Sequence, residues 1–517
     1  MAAETIQDLA ARYGDAYRPL LTGASMLAAF TMVFTGTIVN VAIPDVMGAY
    51  GVGQDKAQLL STGYVAAMTA SQLLNAWFVQ TFGPRLAFAI VVSVFVTGGL
   101  VCGLSPSLDF IIFGRIVQGA ASGIIQPLVM VTLFQLFPKE QRGVAMGIYG
   151  MGLVLALGVG PVIGGITVDT LGWKAIFFVS LPLVMVAFAL GMIFMPSARP
   201  AGERTPFDWT SYILLCVALY CLISGISNGQ REGWTSNDIM LRMVGAIGAA
   251  ALFARLQLRE GQRMLDFSLF SNARFASAVV IAFVFGMGNF AMTYAIPVFG
   301  QIVQGYTATV AGFLLLPASL LLMAVFPLTG RLADRVAPQF PIMGGLILFA
   351  VGVYFLSGAD VNTVFWATAW FAIIARVGMA LINPPLMACA LAALPGERLN
   401  QGSGTINFFR QLGGALGTNL LVVVLELRTQ FHSENLVATQ TAGNSTTREL
   451  LDQVAGILSA EGIPQAMQQS VALNHLGRIV YAQARTFGFQ DGFLMIAILF
   501  LAALVPAWIL GKSRSGQ

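Results

Sequence analysis

Thr35, Thr37 and Asn40 place two hydroxyls and an amide in the apolar stretch FTGTIVNVAIP (34–44), and Arg115, with Gln118 one turn later, places a guanidinium and a second amide in another. Such groups hydrogen-bond one another or a passing molecule, but a threonine exchanges no proton at any relevant pH. Only two histidines occur, His432 and His475, with no HExxH run and no paired aspartates inside an apolar run, so an intramembrane enzyme lacks its groups. No catalytic residue, metal site, cofactor or nucleic-acid partner is expected.

These groups sit in a chain of 517 residues that is 57% hydrophobic, 10% charged and +0.79 in mean hydropathy. An ordinary soluble domain is about 25% charged, so this is a polytopic membrane protein. Its unbroken apolar runs are too long for barrel strands and suit helices of about 20 residues. Suitable runs centre near residues 32, 68, 95, 122, 155, 184, 218, 248, 286, 320, 349, 377, 414 and 499, which predicts fourteen spans. The run from about residue 20 is too long for a signal segment and reads as a retained helix. Cys102, Cys216, Cys221 and Cys389 all lie in apolar runs and form no disulfide framework or zinc pattern.

With the N-terminus inside, sixteen Lys and Arg residues fall in inner segments, against Lys56, Lys174, Arg231 and Arg242 in short outer loops. That asymmetry places both termini in the cytoplasm. Arg115, Arg376 and Arg410 fall within or at the edge of spans. The stretch PSARPAGERTPFDW (196–209) reads as a linker. The chain parses as a cytoplasmic segment (1–19), a six-helix bundle (20–195), a linker (196–208), two extra helices (209–258), a second linker (259–274), a second six-helix bundle (275–511) with a long outer loop (428–485), and a tail (512–517). An internal repeat supports this: AWFVQTFGPR (76–85) aligns with GRLADRVAPQ (330–339), and GRIVQGAASGIIQPL (114–128) has a looser counterpart in ARVGMALINPPL (375–386). Facing repeats enclose a midplane site in many transporters.

The remaining candidates follow from chemistry at depth. Gly160 and Gly164, four apart around Pro161, let another backbone approach, and Gly413 and Gly417 repeat that spacing. Asp334, with Arg335 beside it on the cytoplasmic side, can pair with arginines in one conformation only, a bistable charge latch. Glu426 is the most membrane-proximal acid, near the outer end of the thirteenth span, and is the alternative proton site. Thr35, Asn40, Gln126, Asn289, Tyr294, Asn383 and Asn407 are polar residues in or near spans that line a cavity or bond between helices. In the outer loop, Thr446 with Glu449 reads as a capping box, and Leu450, Leu451, Val454, Ile457 and Leu458 form an apolar stripe.

On TIVNVAIP, GRIVQG, GVGPVIGG, FDW, QIVQGYTA, GRLADR and INFFRQLGGALGT, in that chain order, the sequence resembles the major facilitator superfamily from about residue 30 to 511, specifically its fourteen-helix drug/proton antiporter branch. The long loop beginning LRTQFHSENL resembles the EmrB-type members. The resemblance implies an all-α major facilitator fold of fourteen transmembrane helices (6+2+6) in a bacterial inner membrane. It implies proton-coupled export of hydrophobic or amphipathic compounds by alternating access, with a periplasmic membrane-fusion adaptor and an outer-membrane channel as partners. It assigns proton coupling and gating to Arg115 with Gln118, Asp334 and Arg335, and a hinge or seal between the halves to Gly160, Pro161 and Gly164. In the family the position of Thr35 is typically aspartate. Without it, coupling uses another group such as Glu426 or the substrate, or the chain exports an endogenous metabolite or lipid-like compound without ordinary coupling, or it is a non-transporting sensor.

Overall fold

A computed structural model describes residues 4–52, 54–198, 207–258, 264–441 and 443–512; the central part of the first expected linker (199–206), the beginning of the second (259–263) and the expected tail from 513 onward lie outside the described residues. A short amphipathic helix, α1 (Ile6–Tyr13), precedes the first bundle. That bundle contains α2 (Tyr17–Tyr50), α3 (Gln54–Ser71) with α4 (Asn75–Phe82), α5 (Pro84–Leu104), α6 (Leu108–Leu136), α7 (Arg142–Leu171) and α8 (Ile176–Phe194). An antiparallel pair follows, α9 (Trp209–Glu232) and α10 (Asn237–Leu258). The second bundle contains α11 (Ala273–Ile302), α12 (Ala308–Phe313) with α13 (Leu316–Arg335), α14 (Gln339–Ser357), α15 (Phe365–Ala392), α16 (Leu399–Thr439), α17 (Ser445–Ala460), and α18 (Gln465–Ala502) with α19 (Leu504–Lys512).

Among the described residues thirteen helical segments are long and apolar enough to cross a membrane. The remaining expected span is the α3–α4 rod, which is more polar and is broken by a 3-10 turn at Gln72–Leu74. Pro44, Pro127, Pro161, Pro297 and Pro327 lie inside helices rather than at their ends, so the stretch FTGTIVNVAIP continues through Pro44 to Tyr50. Neighbouring helices and side chains satisfy the carbonyls that proline frees.

The packing repeats in the two bundles. The pairs α2–α7, α3–α6, α5–α6 and α5–α8 correspond to α11–α16, α13–α15, α14–α15 and α14–α18. The α9–α10 pair touches both bundles, through α3 and α16. Each bundle has one end on the face where the chain begins, here called the terminal face. There Glu4 is strapped down: its carboxylate pairs with Arg85 and Arg12, both at 2.8 Å, and its carbonyl accepts from Ser197 and Ala198. Arg85 follows Gly83, whose φ of 78° permits the tight α4–α5 turn, and its Nε donates to the Met195 carbonyl at 2.6 Å.

Hydrogen bonding to Arg85 holds the Glu4 carboxyl below its ordinary value, opposed by burial and aided by the charges of Arg85 and Arg12. A depressed folded value means the strap is in place above the ordinary glutamate value and is lost as pH falls through the folded one. Protection of residues 6–13 from hydrogen exchange, taken relative to the intrinsic rate at each pH, is therefore expected to be unchanged between pH 8 and 6 and to fall once pH drops below the ordinary glutamate value; Glu4→Gln should show the lowered protection at pH 7.

The expected outer loop, 428–485, is not a loop. At 1.5 Å per residue the 41-residue α16 is about 61 Å long, twice the roughly 30 Å of a hydrocarbon core, so it runs on past the membrane as a rod. The 38-residue α18 does the same, and α17 packs on it. The rods are joined where Asp491 accepts from Arg428 at 2.6 Å and meets His432 at 2.7 Å. Helix α17 is capped by Asn444, whose side chain accepts from the Thr447 backbone, in place of the expected Thr446–Glu449 box. The loop's amphipathic stripe faces α18, with Ile457 left 65% exposed.

Candidate functional site

Arg115 is the largest fully buried side chain of the described residues. It rises from α6 into the packing of α2 and α3. Its Nε donates to the Leu60 carbonyl at 3.0 Å, one Nη donates to the Thr35 carbonyl at 3.2 Å and to Gln118 Oε1 at 3.1 Å, and the guanidinium lies 4.2 Å from the Tyr64 ring centroid. Its other Nη and the Gln118 amide nitrogen have no partner. Tyr64 donates to the Met32 carbonyl at 2.6 Å and contacts Ser122 Oγ at 2.5 Å. Helices α3 and α6 meet this closely because Gly119 and Gly123 stand against the Tyr64 and Met68 carbonyls, with no room for a Cβ. Among the described residues no carboxylate pairs with the guanidinium, so carbonyls, an amide and a ring face replace the counterion. An arginine at bilayer depth costs at least about 2.5 kcal/mol, which those groups must offset.

Thr35 is fully buried, and its hydroxyl donates to the Thr31 carbonyl at 2.7 Å, so it reaches Arg115 only through its backbone. The expected site-lining row therefore turns mostly into helix packing. Thr37 likewise bonds back to Phe34, and only Asn40 is exposed, paired with Ser61.

The second bundle repeats the arrangement with looser burial. Arg376 on α15 donates to Asn289 Oδ1 at 2.9 Å and to Thr293 Oγ1 at 2.7 Å, both on α11. A third arginine, Arg410 on α16, is 7% exposed; it donates to Asn407 Oδ1 at 2.7 Å and lies beside Tyr149 of α7, while its Nε has no partner. Asn407 meets Met130 Sδ at 3.2 Å, and Gln126 meets Met68 Sδ at 3.4 Å. Asn383 is buried on α15 opposite Gly150, with its Oδ1 unpartnered. Gln126, Tyr149, Asn383, Asn407 and Arg410 are thus brought together where the bundles meet. Tyr294 is 39% exposed and within electrostatic reach of Glu426 and Arg485. Glu426 lies about 40 Å from the start of α16, well short of that helix's end at Thr439, which places it beyond the core of the bundle.

Asp334 ends α13 and accepts from the backbone N–H groups of Gly143 at 2.6 Å and Val144 at 3.0 Å, the first turn of α7 in the opposite bundle. The expected partners were arginines; the observed partner is a helix N-terminus, where unsatisfied N–H groups and the dipole favour an anion. Arg335 is exposed and takes no part. The first-bundle counterpart positions are Gln80 and Thr81, and the facing contact there is neutral, Asn75 to the Asn400 carbonyl at 3.2 Å.

The glycines divide differently from expectation. Gly160 and Gly164 press α7 against Thr37 and Ile38 of α2, and Gly413 and Gly417 press α16 against Phe283 and Met287 of α11, so all four pack inside a bundle and not between bundles. The seam itself uses Gly143, Gly147 and Gly330, where a Cβ would strike backbone of the facing helix. Glycine at each of these positions lets two helix backbones approach closely. Gly413→Ala would drive its methyl into the Phe283 carbonyl; overpacking of that kind costs about 1–3 kcal/mol, read as a lower unfolding midpoint in detergent. Close approaches between bundles run from the terminal face, at Gly143–Gly330 and Gln72–Gly404, to just past mid-depth, at Gly158–Ser319. Among the described residues no group of three His, Cys, Asp or Glu side chains comes together to hold a metal.

Two mirrored bundles, a polar seam at mid-depth and one closed end define a membrane transporter fold. The profile described as Major Facilitator Superfamily matches residues 25–418, and the chain belongs to that superfamily, whose members are transporters rather than enzymes. It is 28% identical over 499 residues to the Uncharacterized MFS-type transporter YhcA of Bacillus subtilis, covering 95% of this chain and 92% of that one. It is 27% identical over 495 residues to the Multidrug export protein EmrB of Escherichia coli K12, covering 95% and 94%. It is 28% identical over 439 residues to the Lincomycin resistance protein LmrB of Listeria monocytogenes, covering 83% and 93%. The fold matches the crystal structure of human MFSD10 (TM-score 0.61, 13% identity, 95% of this chain and 99% of that one) and of the proton:xylose symporter XylE (TM-score 0.60, 11% identity, 96% of each).

Sequence reasoning singled out Arg115 but left Arg376 and Arg410 without a role. Their charge inside apolar runs was the available signal, since such a residue normally faces a cavity or a partner. Tyr64, Tyr149 and the Gly143–Gly330 seam carried no signal that distinguishes them from packing.

Proposed function

We propose that this protein exports hydrophobic or amphipathic compounds across a bacterial inner membrane by alternating access, within the fourteen-helix drug antiporter branch. The observation that carries the reading is the closed terminal face: the bundles meet there at Gly143–Gly330 and Gln72–Gly404, and a carboxylate latch, Asp334 on the α7 N-terminus, holds that end. With both termini cytoplasmic, as the basic-residue asymmetry favours, this is an outward-facing state. Likeness to EmrB and LmrB over most of the chain supports drug-like cargo. The projecting α16–α18 hairpin exposes Val437, Ile457, Met467, Val471 and Leu473, apolar surface in a segment expected in water, which suits docking to a periplasmic adaptor that leads to an outer-membrane channel.

Coupling is the point at which this chain parts from its branch. With threonine at 35 and no acid beside Arg115, a proton site in that bundle is missing. Glu426 at the outer mouth or the substrate's own charge takes that part, or transport runs without ordinary proton coupling. Flux of a labelled amphipathic panel into proteoliposomes, with and without an imposed pH gradient, tests this. Uptake of at least one compound above protein-free vesicles is expected; no uptake across the panel, with intact protein, overturns the exporter reading.

A further inference from the structure

We propose that the transported compound carries an anionic group and that Arg376 and Arg410 bind it between the bundles; this rests on the transporter reading above and names its substrate class. The two cations share one scaffold. The Arg410 carbonyl lies against Gly286 of α11, and Asn289, which holds Arg376, is one turn further along the same helix. Arg410 is 7% exposed and keeps Nε unpartnered at the seam, next to Tyr149 of the facing bundle. Arg376 is half-buried and anchored on Thr293, which is exposed.

Among the described residues every hydrogen-bond partner of these guanidinium groups is neutral: Asn289, Thr293, Asn407 and Tyr149. Among the described residues neither arginine makes an ion pair, and the acids of α13 and α16 lie toward the two ends, Asp334 on the last turn of one and Glu426 about 40 Å along the other. Arg115 adds a third cation without a carboxylate deeper in the first bundle. In a low-dielectric seam this excess repels a cationic cargo and attracts an anion, and guanidinium forks match carboxylate, sulfonate or phosphate oxygens. The thioethers of Met68 and Met130 beside the amides of Gln126 and Asn407 give an apolar body an adaptable wall. The class is therefore an apolar body bearing one acidic group.

The experiment uses full-length protein in nanodiscs and two probes of one shape and opposite charge, 1-pyrenebutyrate and 1-pyrenebutylammonium, measured by equilibrium dialysis against empty nanodiscs. The protein is expected to hold the carboxylate at least ten-fold more tightly than the ammonium. Arg376→Gln, which keeps hydrogen bonding to Asn289 and Thr293 and does not empty a buried site, should erase that preference, and Arg376→Lys should retain most of it. Equal binding of both probes, preference for the ammonium, or a preference unchanged in Arg376→Gln overturns the proposal. Proteoliposome transport of the ammonium alone would overturn it too while leaving the exporter reading intact, so the two can fail separately.

Discussion

Asp334→Ala is expected to release the terminal face. The carboxylate accepts two backbone N–H groups at the start of α7, and its own helix belongs to the other bundle, so each bond exists only while that face is closed. Hydrogen bonds to a charged group contribute about 1.5–3 kcal/mol, and the helix dipole adds to this one. Loss of about 2 kcal/mol shifts the equilibrium between the two access states roughly 30-fold toward opening at this face. Spin labels at Glu140 and Glu397, exposed on the terminal face in opposite bundles, report the change as a longer distance distribution. An unaltered distribution in folded protein would remove Asp334 from gating. The matching position in the first bundle carries no acid, so Gln80→Ala should leave the distribution as it was.

The second large effect concerns the Arg115 cluster. Thr35→Asp would place a carboxylate on the residue whose carbonyl already takes one Nη of Arg115, in a cluster where the other Nη is unpartnered. A titratable group is then buried next to the Arg115 cluster where none exists now, and the pH profile of transport should move relative to the parent protein. An unchanged profile would count against a working site at this position. Arg115→Met, in contrast, leaves Gln118 Oε1 without a donor and strips the second hydrogen bond from the Leu60 and Thr35 carbonyls, which costs about 1–3 kcal/mol, and should abolish transport. The double variant separates the effects in stability: with no cation at 115, an aspartate at 35 is an isolated buried charge, so the unfolding midpoint in detergent should drop by more than the sum of the single changes.

The physics of the bilayer makes much of this protein legible in one dimension. Apolar runs, basic-residue asymmetry and the repeated GPR and GRLADR stretches led to fourteen helices and facing bundles, because each span must satisfy its own backbone and that demand is local. Arg115, Asp334 and the Gly160–Gly164 pair were visible for the same reason: a charge in hydrocarbon, an acid at a helix end and a four-residue glycine spacing are all one-helix signals. What each of them touches was not visible. Asp334 meets the α7 N-terminus instead of an arginine, Gly160 and Gly164 close on α2 instead of the seam, and Thr35 gives Arg115 a carbonyl instead of a side chain. The hairpin followed the same rule, since nothing in the run from 428 to 485 is apolar enough to read as a span, yet α16 and α18 stay helical, packed on each other with α17 and joined through Asp491. The sequence by itself determined the helices, the repeat and the depth of each charge; the tertiary structure alone decided the partners, because contacts between helices depend on rotation and crossing, which no spacing within one helix encodes.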